Sequence, residues 1–444
     1  MNYDLFCTFV RMKTGFLIAA PHSGSGKTTL ARGLMALYRS KGYVVQPFKS
    51  GPDYIDTKFH ERVCGRPSVN LDSFFASEEH LRELFVRYSE DADIVIVEGM
   101  MGLFDGYDRD RGSSAEIARI LGLPIVLVVD ARSAAYSMAA LLQGFIQFRP
   151  GLTYAGVIFN KVGSERHAQM LREVASEVGM KCLGCVPKSA ELETGSRYLG
   201  LDFSLPSPKE GALSPEKICE ENINWELIVR STCYKVEDNL NVAHGPSLGG
   251  GRGRFFVARN AESFSFLYQE TIDRLAALGD IVFFNPEFDS SLPLGEGKGG
   301  VLYLPGGYPE KHLEALVANE ACRKAIKDFA EQGGRIVAEC GGMMYLCESI
   351  VTDEGEYPMC GVLPYKISAR KADRKLSLGY RQFTLDGKEY RGHEFHYTQF
   401  LGQPPSSVVQ AYDAKGRPVP TPILHYKNVL ASYTHIYNLW HLML

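Results

Sequence analysis

The residue best suited to covalent chemistry is Cys340, which stands in the segment Arg-Ile-Val-Ala-Glu-Cys-Gly-Gly-Met-Met, residues 335–344. The apolar run 335–338 predicts a short buried strand, and the two glycines after the cysteine predict a sharp turn into a helix that begins near Met343. A thiol at such a turn lies beside helix-start N–H groups, which lower its pKa, and the amide of Gly341 can hydrogen-bond an oxyanion. The pattern therefore predicts hydrolysis of an amide or ester, and the alternative is a buried structural cysteine.

Two other segments carry groups that a nucleophilic cysteine needs. Gly306 and Gly307 follow the predicted strand 300–304 and could supply the other half of an oxyanion hole. His435 ends the strand-like run 429–435, and an imidazole is the base that a cysteine needs in acyl transfer. His393 and His396 are rival candidates for that base, and we favour His435.

A phosphate-binding loop is predicted near the start of the chain, because Gly-Ser-Gly-Lys-Thr-Thr at residues 24–29 follows a predicted strand and opens a helix at Lys27. Lys27 would reach the β- and γ-phosphates, and Thr28 would hold magnesium. Pro21 replaces the first glycine of the strict pattern. The residues predicted to bind ATP are Gly24, Ser25, Gly26, Lys27, Thr28, Thr29 and Lys49.

Charged side chains follow two further predicted strands of the same region. Lys49, Asp53 and Asp56 come at the end of one strand, and Glu98 comes at the end of another. Since strand ends in open α/β sheets face the ligand crevice, these groups should point at bound nucleotide and substrate. Asp53 and Glu98 could share a magnesium ion with Thr28, although surface carboxylates are usually only solvated.

These residues require two α/β domains to position them. Short runs rich in Val and Ile alternate with helical stretches over residues 14–205, which indicates a mostly parallel sheet with helices on both faces. A second α/β sheet begins after a glycine-rich stretch that is typical of a linker. We therefore predict a P-loop ATP-binding domain at residues 12–236, a linker at 237–253 and a second domain at 254–444. The segment from Trp225 to Val236 could form one helix.

Composition excludes several classes of function. A chain of 444 residues exceeds one ordinary core, and a net charge of -4 provides no polybasic face for nucleic acid or an anionic membrane. No apolar run approaches the length of a spanning helix. A thiol that must stay reduced fits the cytoplasm. Cys182 and Cys185 have a redox or zinc-knuckle spacing, but no second pair follows, so two half-buried thiols are the expected outcome.

With the glycine turn, the cysteine elbow and the late His435, residues 254–437 resemble a class I glutamine amidotransferase domain, which implies a flavodoxin-like α/β fold. In most of that family a glutamate two residues after the histidine orients it, whereas this chain has Tyr437 there. The cobyrinic-acid and cobyric-acid branch is similar in lacking that glutamate, so the departure indicates a subfamily.

Nearly all of the chain resembles the cobyrinic acid a,c-diamide synthase family, through segments such as Lys-Ser-Gly-Pro-Asp-Tyr-Ile-Asp at residues 49–56 and Gly-His-Glu-Phe-His-Tyr at residues 392–397. The resemblance implies a magnesium-dependent ligase in which ATP converts a corrinoid acetate to an acyl phosphate. By the same resemblance, Cys340 would release ammonia from glutamine, and the ammonia would attack that acyl phosphate. By the same resemblance Tyr54, Ile55 and Asp56 would orient the acceptor carboxylates.

The sequence is also compatible with two other functions. The same chemistry could act on hydrogenobyrinate or on nickel sirohydrochlorin, because no residue is seen to recognise the metal in the ring. A nucleotide-dependent switch or scaffold without glutaminase activity is made conceivable by Tyr437 and by Asn260, where the family suggests aspartate. A small-molecule corrinoid is the expected partner, and a homodimer is one option for assembly.

Overall fold

The computed structural model describes residues 12–189, 214–235, 253–292, 300–403 and 405–443. The chain forms two compact units, Met1–Val242 and Ala243–Leu444. The linker was predicted at residues 237–253. Residues 237–252 lie outside the described residues, and Gly253 already begins a strand. Within the described ranges, no helix is both long and apolar enough to cross a membrane.

The first unit is built on an eight-stranded sheet in the order β3-β2-β4-β1-β5-β6-β7, with β8 antiparallel to β1 and all other pairs parallel. Its strands are β1 (Met12–Ala19), β2 (Val45–Ser50), β3 (Val69–Leu71), β4 (Ile94–Glu98), β5 (Ile125–Asp130), β6 (Tyr154–Val162), β7 (Cys182–Pro187) and β8 (Cys233–Lys235). Its helices are α1 (Lys27–Ser40), α2 (Ile55–Cys64), α3 (Glu78–Ser89), α4 (Ser114–Leu121), α5 (Met138–Phe148), α6 (Glu165–Glu177), α7 (Pro215–Asn222) and α8 (Trp225–Ser231).

Alternate residues of β1 enter two separate apolar cores. Leu17 packs in a core with residues of α3, α4, α5 and α6, whereas Phe16 and Ile18 pack in another with residues of α1, α7 and α8. Because successive side chains of a strand point to opposite faces, helices cover both faces of this sheet. The predicted architecture of the first unit is confirmed.

The register of the central strands explains why their loops meet. Glu98 at the end of β4 pairs with Ile18 of β1 on one side and with Lys49 of β2 on the other. The loops that follow β1, β2 and β4 therefore leave the same edge of the sheet.

The predicted length of one helix in the first unit is wrong. The run from Trp225 was expected to continue as a helix to Val236, but α8 ends at Ser231 and β8 follows. Thr14 of β1 pairs with Cys233, and this tertiary pairing overrides the local helical preference of the segment.

The second unit has a central six-stranded sheet in the order β10-β9-β11-β12-β22-β21, in which only β21 is antiparallel to its neighbour. Two smaller sheets have the orders β14-β13-β15-β18 and β20-β19-β16-β17-β23. The strands are β9 (Gly253–Ala258), β10 (Gly279–Phe284), β11 (Val301–Leu304), β12 (Arg335–Glu339), β13 (Ser349–Val351), β14 (Glu356–Pro358), β15 (Lys366–Ser368), β16 (Ser377–Leu385), β17 (Lys388–His396), β18 (Gln399–Phe400), β19 (Ala411–Tyr412), β20 (Pro418–Val419), β21 (Ile423–Tyr426), β22 (Val429–Ser432) and β23 (His435–Ile436). The helices are α9 (Gln269–Leu278), α10 (Leu313–Ala318), α11 (Glu320–Glu331), α12 (Gly341–Leu346) and α13 (Trp440–Met443).

The run 429–435 forms parts of two sheets. β22 pairs with β12, and the chain then turns so that His435 of β23 pairs with His393 of β17. The predicted single strand is therefore interrupted, and the interruption brings the histidine out of the central sheet. The second unit is α/β, as predicted.

Candidate active site

The loop between β1 and α1 has the backbone expected of a phosphate-binding loop. Gly24 and Gly26 take positive φ values of 84° and 94°, which glycine adopts at little cost. Asn160 Nδ2 donates to the carbonyl oxygen of Ser25 at 2.9 Å, and a Cβ on Gly26 would clash with that amide. Lys27 begins the helix, with Thr28 and Thr29 in its first turn. The loop is thus clamped at the positive end of α1, where phosphate binds readily.

Lys27 and Thr28 lie beside the end of β4. Lys27 Nζ donates to the carbonyl oxygen of Met101 at 2.8 Å, and Thr28 Oγ1 donates to Glu98 Oε1 at 2.5 Å. Burial, together with the charge of Lys49, lowers the pKa of Lys27 to about 8. A phosphate group near Lys27 would offset both effects, because it supplies the negative charge that favours the ammonium form.

A buried ion-pair network joins the ends of β2 and β4. Lys49 Nζ donates to Asp56 Oδ2 at 2.6 Å and to Glu98 Oε1 at 3.0 Å. His60 Nε2 lies 2.7 Å from Glu98 Oε2, and His60 Nδ1 lies 3.0 Å from Ser68 Oγ. Four ionisable side chains and the hydroxyl of Ser68 thus form this network, and each of them is almost fully buried.

The network sets the charge state of its members. Burial and the charge of Asp56 would raise the pKa of Glu98, but Lys49 and His60 outweigh them and lower it to about 2. Burial would lower the pKa of Lys49, yet Asp56 and Glu98 raise it above its ordinary value. Glu98 is therefore held as a carboxylate and Lys49 as an ammonium group at neutral pH.

Asp53 has a structural task at the start of α2. Its Oδ1 accepts the N–H groups of Ile55 and Asp56 at 2.8 and 2.9 Å, which caps the helix. Burial, followed by the charge of Asp56, raises the pKa of Asp53. Tyr54 and Ile55 are buried at the same turn. The turn thus gathers the residues predicted to orient the acceptor.

The donors near the phosphate loop fit a magnesium ion in part. Thr28 and Glu98 offer a hydroxyl and a carboxylate oxygen in direct contact, and Mg²⁺ usually takes one or two protein oxygens with phosphates and waters. Across the described part of the chain, no group of three or more His, Cys, Asp or Glu side chains is arranged to hold a metal. A contribution from Asp53 stays a prediction, since its Oδ1 already caps α2.

In the second unit, Cys340 occupies a strained turn between β12 and α12. Its φ of 45° and ψ of -109° are unusual for a residue other than glycine. The Cys340 N–H donates to the carbonyl oxygen of Ser432 at 2.7 Å, which ties the turn to β22. This is the geometry of a nucleophile elbow. The predicted strand, turn and helix are all present, although α12 begins at Gly341 and not near Met343.

The glycine turn after β11 packs directly against that elbow. A Cβ on Gly341 would lie 2.7 Å from the carbonyl oxygen of Gly307 and 2.7 Å from Pro309 Cδ. A Cβ on Gly306 would lie 3.0 Å from both ring nitrogens of His435 and closer still to Cε1. The elbow, the glycine turn and the histidine therefore meet at one place. Roles for these amides in an oxyanion hole stay predictions.

The thiol and the imidazole are both in their neutral forms at rest. Burial raises the pKa of Cys340, the charge of Glu310 raises it further, and the hydrogen bond from the Gly341 amide lowers it only in part. Burial, helped by the charge of His393, lowers the pKa of His435 to about 3. The expected lowering of the thiol pKa by the helix start is wrong for this state, because desolvation is larger than the effect of the nearby amide.

The two rival histidines are placed differently from His435. His396 Nε2 lies 2.7 Å from Glu394 Oε1, its Nδ1 lies 2.8 Å from the carbonyl oxygen of Thr398, and its ring stacks on Tyr433. Its two nitrogens are thus committed to protein groups. His393 lies across from His435 in the β17–β23 pair. This arrangement favours His435 as the partner of the thiol.

Tyr437 does not take the place of an orienting carboxylate. Its hydroxyl donates to Glu270, and Thr271 Oγ1 donates to its carbonyl oxygen at 3.3 Å. The carboxylate that does approach the imidazole belongs to Glu339, whose Oε2 lies 3.9 Å from His435 Nδ1. Sequence reasoning missed Glu339, and the only signal was an acidic residue at the end of a buried strand.

Two further predictions concern Asn260 and the cysteine pair. Asn260 Nδ2 donates to Ser263 Oγ and to Glu287 Oε1, so the amide helps to hold a loop after β9. Cys182 and Cys185 have their sulfur atoms 3.9 Å apart and are half-buried free thiols, as expected.

Comparison with known proteins extends over both units. A model described as a CobQ/CobB/MinD/ParA nucleotide binding domain matches residues 16–199, and one described as a CobB/CobQ-like glutamine amidotransferase domain matches residues 257–440. The phosphate loop and the Cys340 elbow thus lie in regions that two separate family models match.

Curated relatives match along nearly the whole chain. The chain is 39% identical over 441 residues to the cobyrinate a,c-diamide synthase of Caldanaerobacter subterraneus, which covers 95% of this chain and 94% of that protein. It is 36% identical over 469 residues to the hydrogenobyrinate a,c-diamide synthase of Streptomyces coelicolor, with 94% and 93% covered. The cobyrinate a,c-diamide synthase of Picrophilus torridus is 35% identical over 434 residues, with 95% and 94% covered. The chain therefore belongs to the family of cobyrinate and hydrogenobyrinate a,c-diamide synthases.

Proposed function

We propose that the protein is an ATP- and magnesium-dependent ligase that amidates the a and c acetate carboxylates of cobyrinate with ammonia from glutamine. The observation that carries the proposal is the match of 39% identity across both units to a cobyrinate a,c-diamide synthase. The buried ion-pair network at the phosphate loop and the Cys340 elbow support it independently of that match, since each fits one half of the reaction.

The first unit would activate the carboxylate. A carboxylate does not react with ammonia until its oxygen becomes a leaving group, and transfer of the γ-phosphoryl group of ATP makes it one. Lys27 and Lys49 would neutralise charge on the transferring group, and the loop amides would hold the phosphates in line. Thr28 and Glu98 would hold the magnesium ion, which supplies further positive charge at the phosphates when it is bound.

The acceptor would be positioned at the start of α2. Asp53 caps that helix and Asp56 pairs with Lys49, so hydrogen bonds on both sides fix the backbone around Tyr54 and Ile55. We propose that Tyr54, Ile55 and Asp56 orient the acetate carboxylates there.

The second unit would release the ammonia. Cys340 would attack the side-chain amide carbon of glutamine, and His435 would take the thiol proton and deliver it to the departing nitrogen. The amides of Gly306, Gly307 and Gly341 would stabilise the oxyanion that forms. Water then hydrolyses the thioester, which returns the thiol and releases glutamate.

Hydrogenobyrinate is the second candidate acceptor, because relatives at 36% to 38% identity carry that name. It has the same two acetate groups and differs by the absence of the metal. Nickel sirohydrochlorin, the switch without glutaminase activity, a homodimer and a location in the cytoplasm remain predictions from the sequence.

The test is incorporation of amide nitrogen. Purified protein is incubated with ATP, magnesium, cobyrinic acid and glutamine labelled with ¹⁵N at its side-chain amide, and the products are separated and weighed by mass spectrometry. We expect two labelled amides to appear in succession. Cys340→Ser should lose the reaction with glutamine and keep it with ammonia, because only the second unit uses the thiol.

Each other outcome has a definite meaning. If hydrogenobyrinic or nickel sirohydrochlorin acceptors react and cobyrinic acid does not, the chemistry stands and the proposed acceptor is wrong. If the wild type hydrolyses neither ATP nor glutamine with any of the three acceptors, the ligase is refuted and a switch is favoured.

A further inference from the structure

Glu339 is a buried carboxylate next to the proposed nucleophile that the reaction as described above does not use. It is the last residue of β12 and immediately precedes Cys340. We propose that Glu339 is the positioning residue for His435, holding its imidazole in the orientation and tautomer that accept the thiol proton. This inference rests on the proposed glutaminase activity.

The position of the carboxylate is fixed from two sides. Glu339 Oε1 accepts the backbone N–H of Ile436 at 2.8 Å, and its Oε2 accepts the hydroxyl of Tyr303 at 2.7 Å. Glu339 also pairs with Ser432 in the register of β12 and β22. Ile436 follows His435 directly, so the hydrogen bond ties the carboxylate to the same two-residue strand that carries the imidazole.

The imidazole lies just beyond hydrogen-bond distance of this carboxylate. Glu339 Oε2 is 3.9 Å from His435 Nδ1, and the side chains of both residues are almost completely buried. Catalytic hydrogen bonds are often long in the absence of substrate and shorten when substrate binds. A small shift of the ring would bring Nδ1–H onto Oε2 and leave Nε2 as the proton acceptor.

The physical need for such a group is strong at this site. When His435 takes the thiol proton it becomes a cation inside a buried site, and a cation without a partner there is costly. A carboxylate at Nδ1 stabilises the imidazolium and excludes the wrong tautomer. The hydroxyl of Tyr437, two residues after the histidine, cannot do this because it donates to Glu270.

The titratable groups that face Glu339 are neutral near pH 8, so the expected pH dependence comes from Glu339 itself. Tyr303 faces it from β11, His435 from β23, and the thiol of Cys340 follows it in the chain. Burial raises the pKa of Glu339 to about 8. Because the ionised carboxylate is the form that accepts Nδ1–H, glutaminase kcat/KM should rise as the pH increases through about 8.

The experiment compares Glu339→Gln with Glu270→Gln in the full chain. Glu270 is a matched control, since it is equally buried in the same unit and accepts hydrogen bonds from Tyr437 and Arg274. We expect Glu339→Gln to lower glutaminase kcat by about 100-fold with little change in KM, and to remove the rise near pH 8. Ammonia-dependent amidation should stay within about twofold of wild type. Glu270→Gln should keep both the rate and the pH profile.

Two results would overturn the inference if Glu339→Gln folds. A Glu339→Gln protein with wild-type glutaminase kcat and an unchanged pH profile overturns it while leaving the proposed function intact. A wild-type protein that cannot hydrolyse glutamine overturns both. If Glu339→Gln fails to fold, Glu339→Asp decides, because it keeps a titrating carboxyl one methylene further from the ring. It should lower kcat and retain the pH rise, and an unaltered kcat would refute the positioning role.

Discussion

Gly306→Ala is the sharpest test of the geometry around Cys340, because one added methyl group would enter the space that His435 occupies. The Cβ would lie 3.0 Å from Nδ1 and 3.0 Å from Nε2, and closer to Cε1. The backbone of Gly306 lies outside the left-handed region, so alanine causes no backbone strain. The substitution also keeps the Gly306 N–H group. Its effect should therefore come from displacement of the imidazole.

The expected magnitude follows from those distances. Non-bonded carbon atoms pack at about 3.5 to 4.0 Å, so the ring must move by about 1 Å or more to accommodate the methyl group. A misplacement of about 1 Å in a catalytic group can cost about 100-fold in rate, or about 3 kcal/mol of transition-state stabilisation. Overpacking a well-filled site costs a further 1–3 kcal/mol or so of folding stability, for which urea unfolding provides the measure.

The assay measures glutaminase kcat and KM together with ammonia-dependent amidation. Gly355→Ala is the control, since its Cβ would lie 4.0 Å from Tyr357 Cε2, an ordinary contact. We expect Gly306→Ala to lose glutamine-dependent activity by about 100-fold and to keep ammonia-dependent activity. A Gly306→Ala protein with glutaminase kcat within about threefold of wild type would refute the placement of His435 against this turn.

Three other predictions follow from the charges and hydrogen bonds of the two sites. Since the pKa of Lys27 is lowered to about 8, the dissociation constant of the protein for ATP should rise by about tenfold per pH unit above pH 8. Calorimetry in buffers of different ionisation enthalpy would then show that the protein takes up a proton when ATP binds. Lys49→Met removes the cation that Asp56 and Glu98 share, so it should lower the free energy of unfolding by about 3–5 kcal/mol. Urea titrations should show a smaller loss near pH 5, because buried carboxyl groups without Lys49 protonate more readily. Tyr437→Phe removes the hydroxyl that donates to Glu270 and should cost about 1–3 kcal/mol of stability, while glutaminase kcat stays within about threefold of wild type.

Residues at strand ends were the part of the site that could be predicted from sequence. Lys49, Glu98 and the loop before Lys27 were placed together because parallel strands bring their carboxyl ends to one edge. The register confirms this placement, with Lys49 directly across from Glu98. Cys340 is likewise predictable, because it follows an apolar run and the two glycines after it permit the sharp turn from strand to helix.

Contacts between distant segments were beyond such reasoning. His60 lies on α2 and reaches Glu98 across the network, and nothing in the local pattern of α2 separates it from a histidine on a helix surface. Glu339 at a strand end looks like a solvated charge until Tyr303 and Ile436 are seen to hold it. The roles of both residues could not be predicted because their partners lie in other helices or strands. Side-chain pairing between distant elements leaves no regular spacing in the sequence that would reveal it.

The prediction of a lowered pKa for Cys340 failed for the same reason, because contacts between distant segments decide that pKa. Proximity to a helix start lowers a pKa, and this term could be seen in the sequence, since Gly341 follows Cys340. Burial acts in the opposite direction and is larger, but its size depends on how segments distant in the sequence pack around Cys340. A local motif therefore predicts the direction of one effect on the thiol pKa, whereas the net shift of that pKa depends on tertiary packing.

The resting state of the second unit has a consequence for how glutamine use is controlled. A neutral thiol beside a neutral imidazole attacks an amide poorly, because the thiolate is the nucleophile. In the proposed mechanism, ionising the pair needs a carboxylate near the imidazole and an oxyanion site for the substrate, and the 3.9 Å between Glu339 Oε2 and His435 Nδ1 would have to shorten. The same burial that keeps Cys340 protonated also limits the access of bulk water to the thiol. We therefore expect glutaminase activity to depend on how bound substrate changes the surroundings of Cys340 and His435.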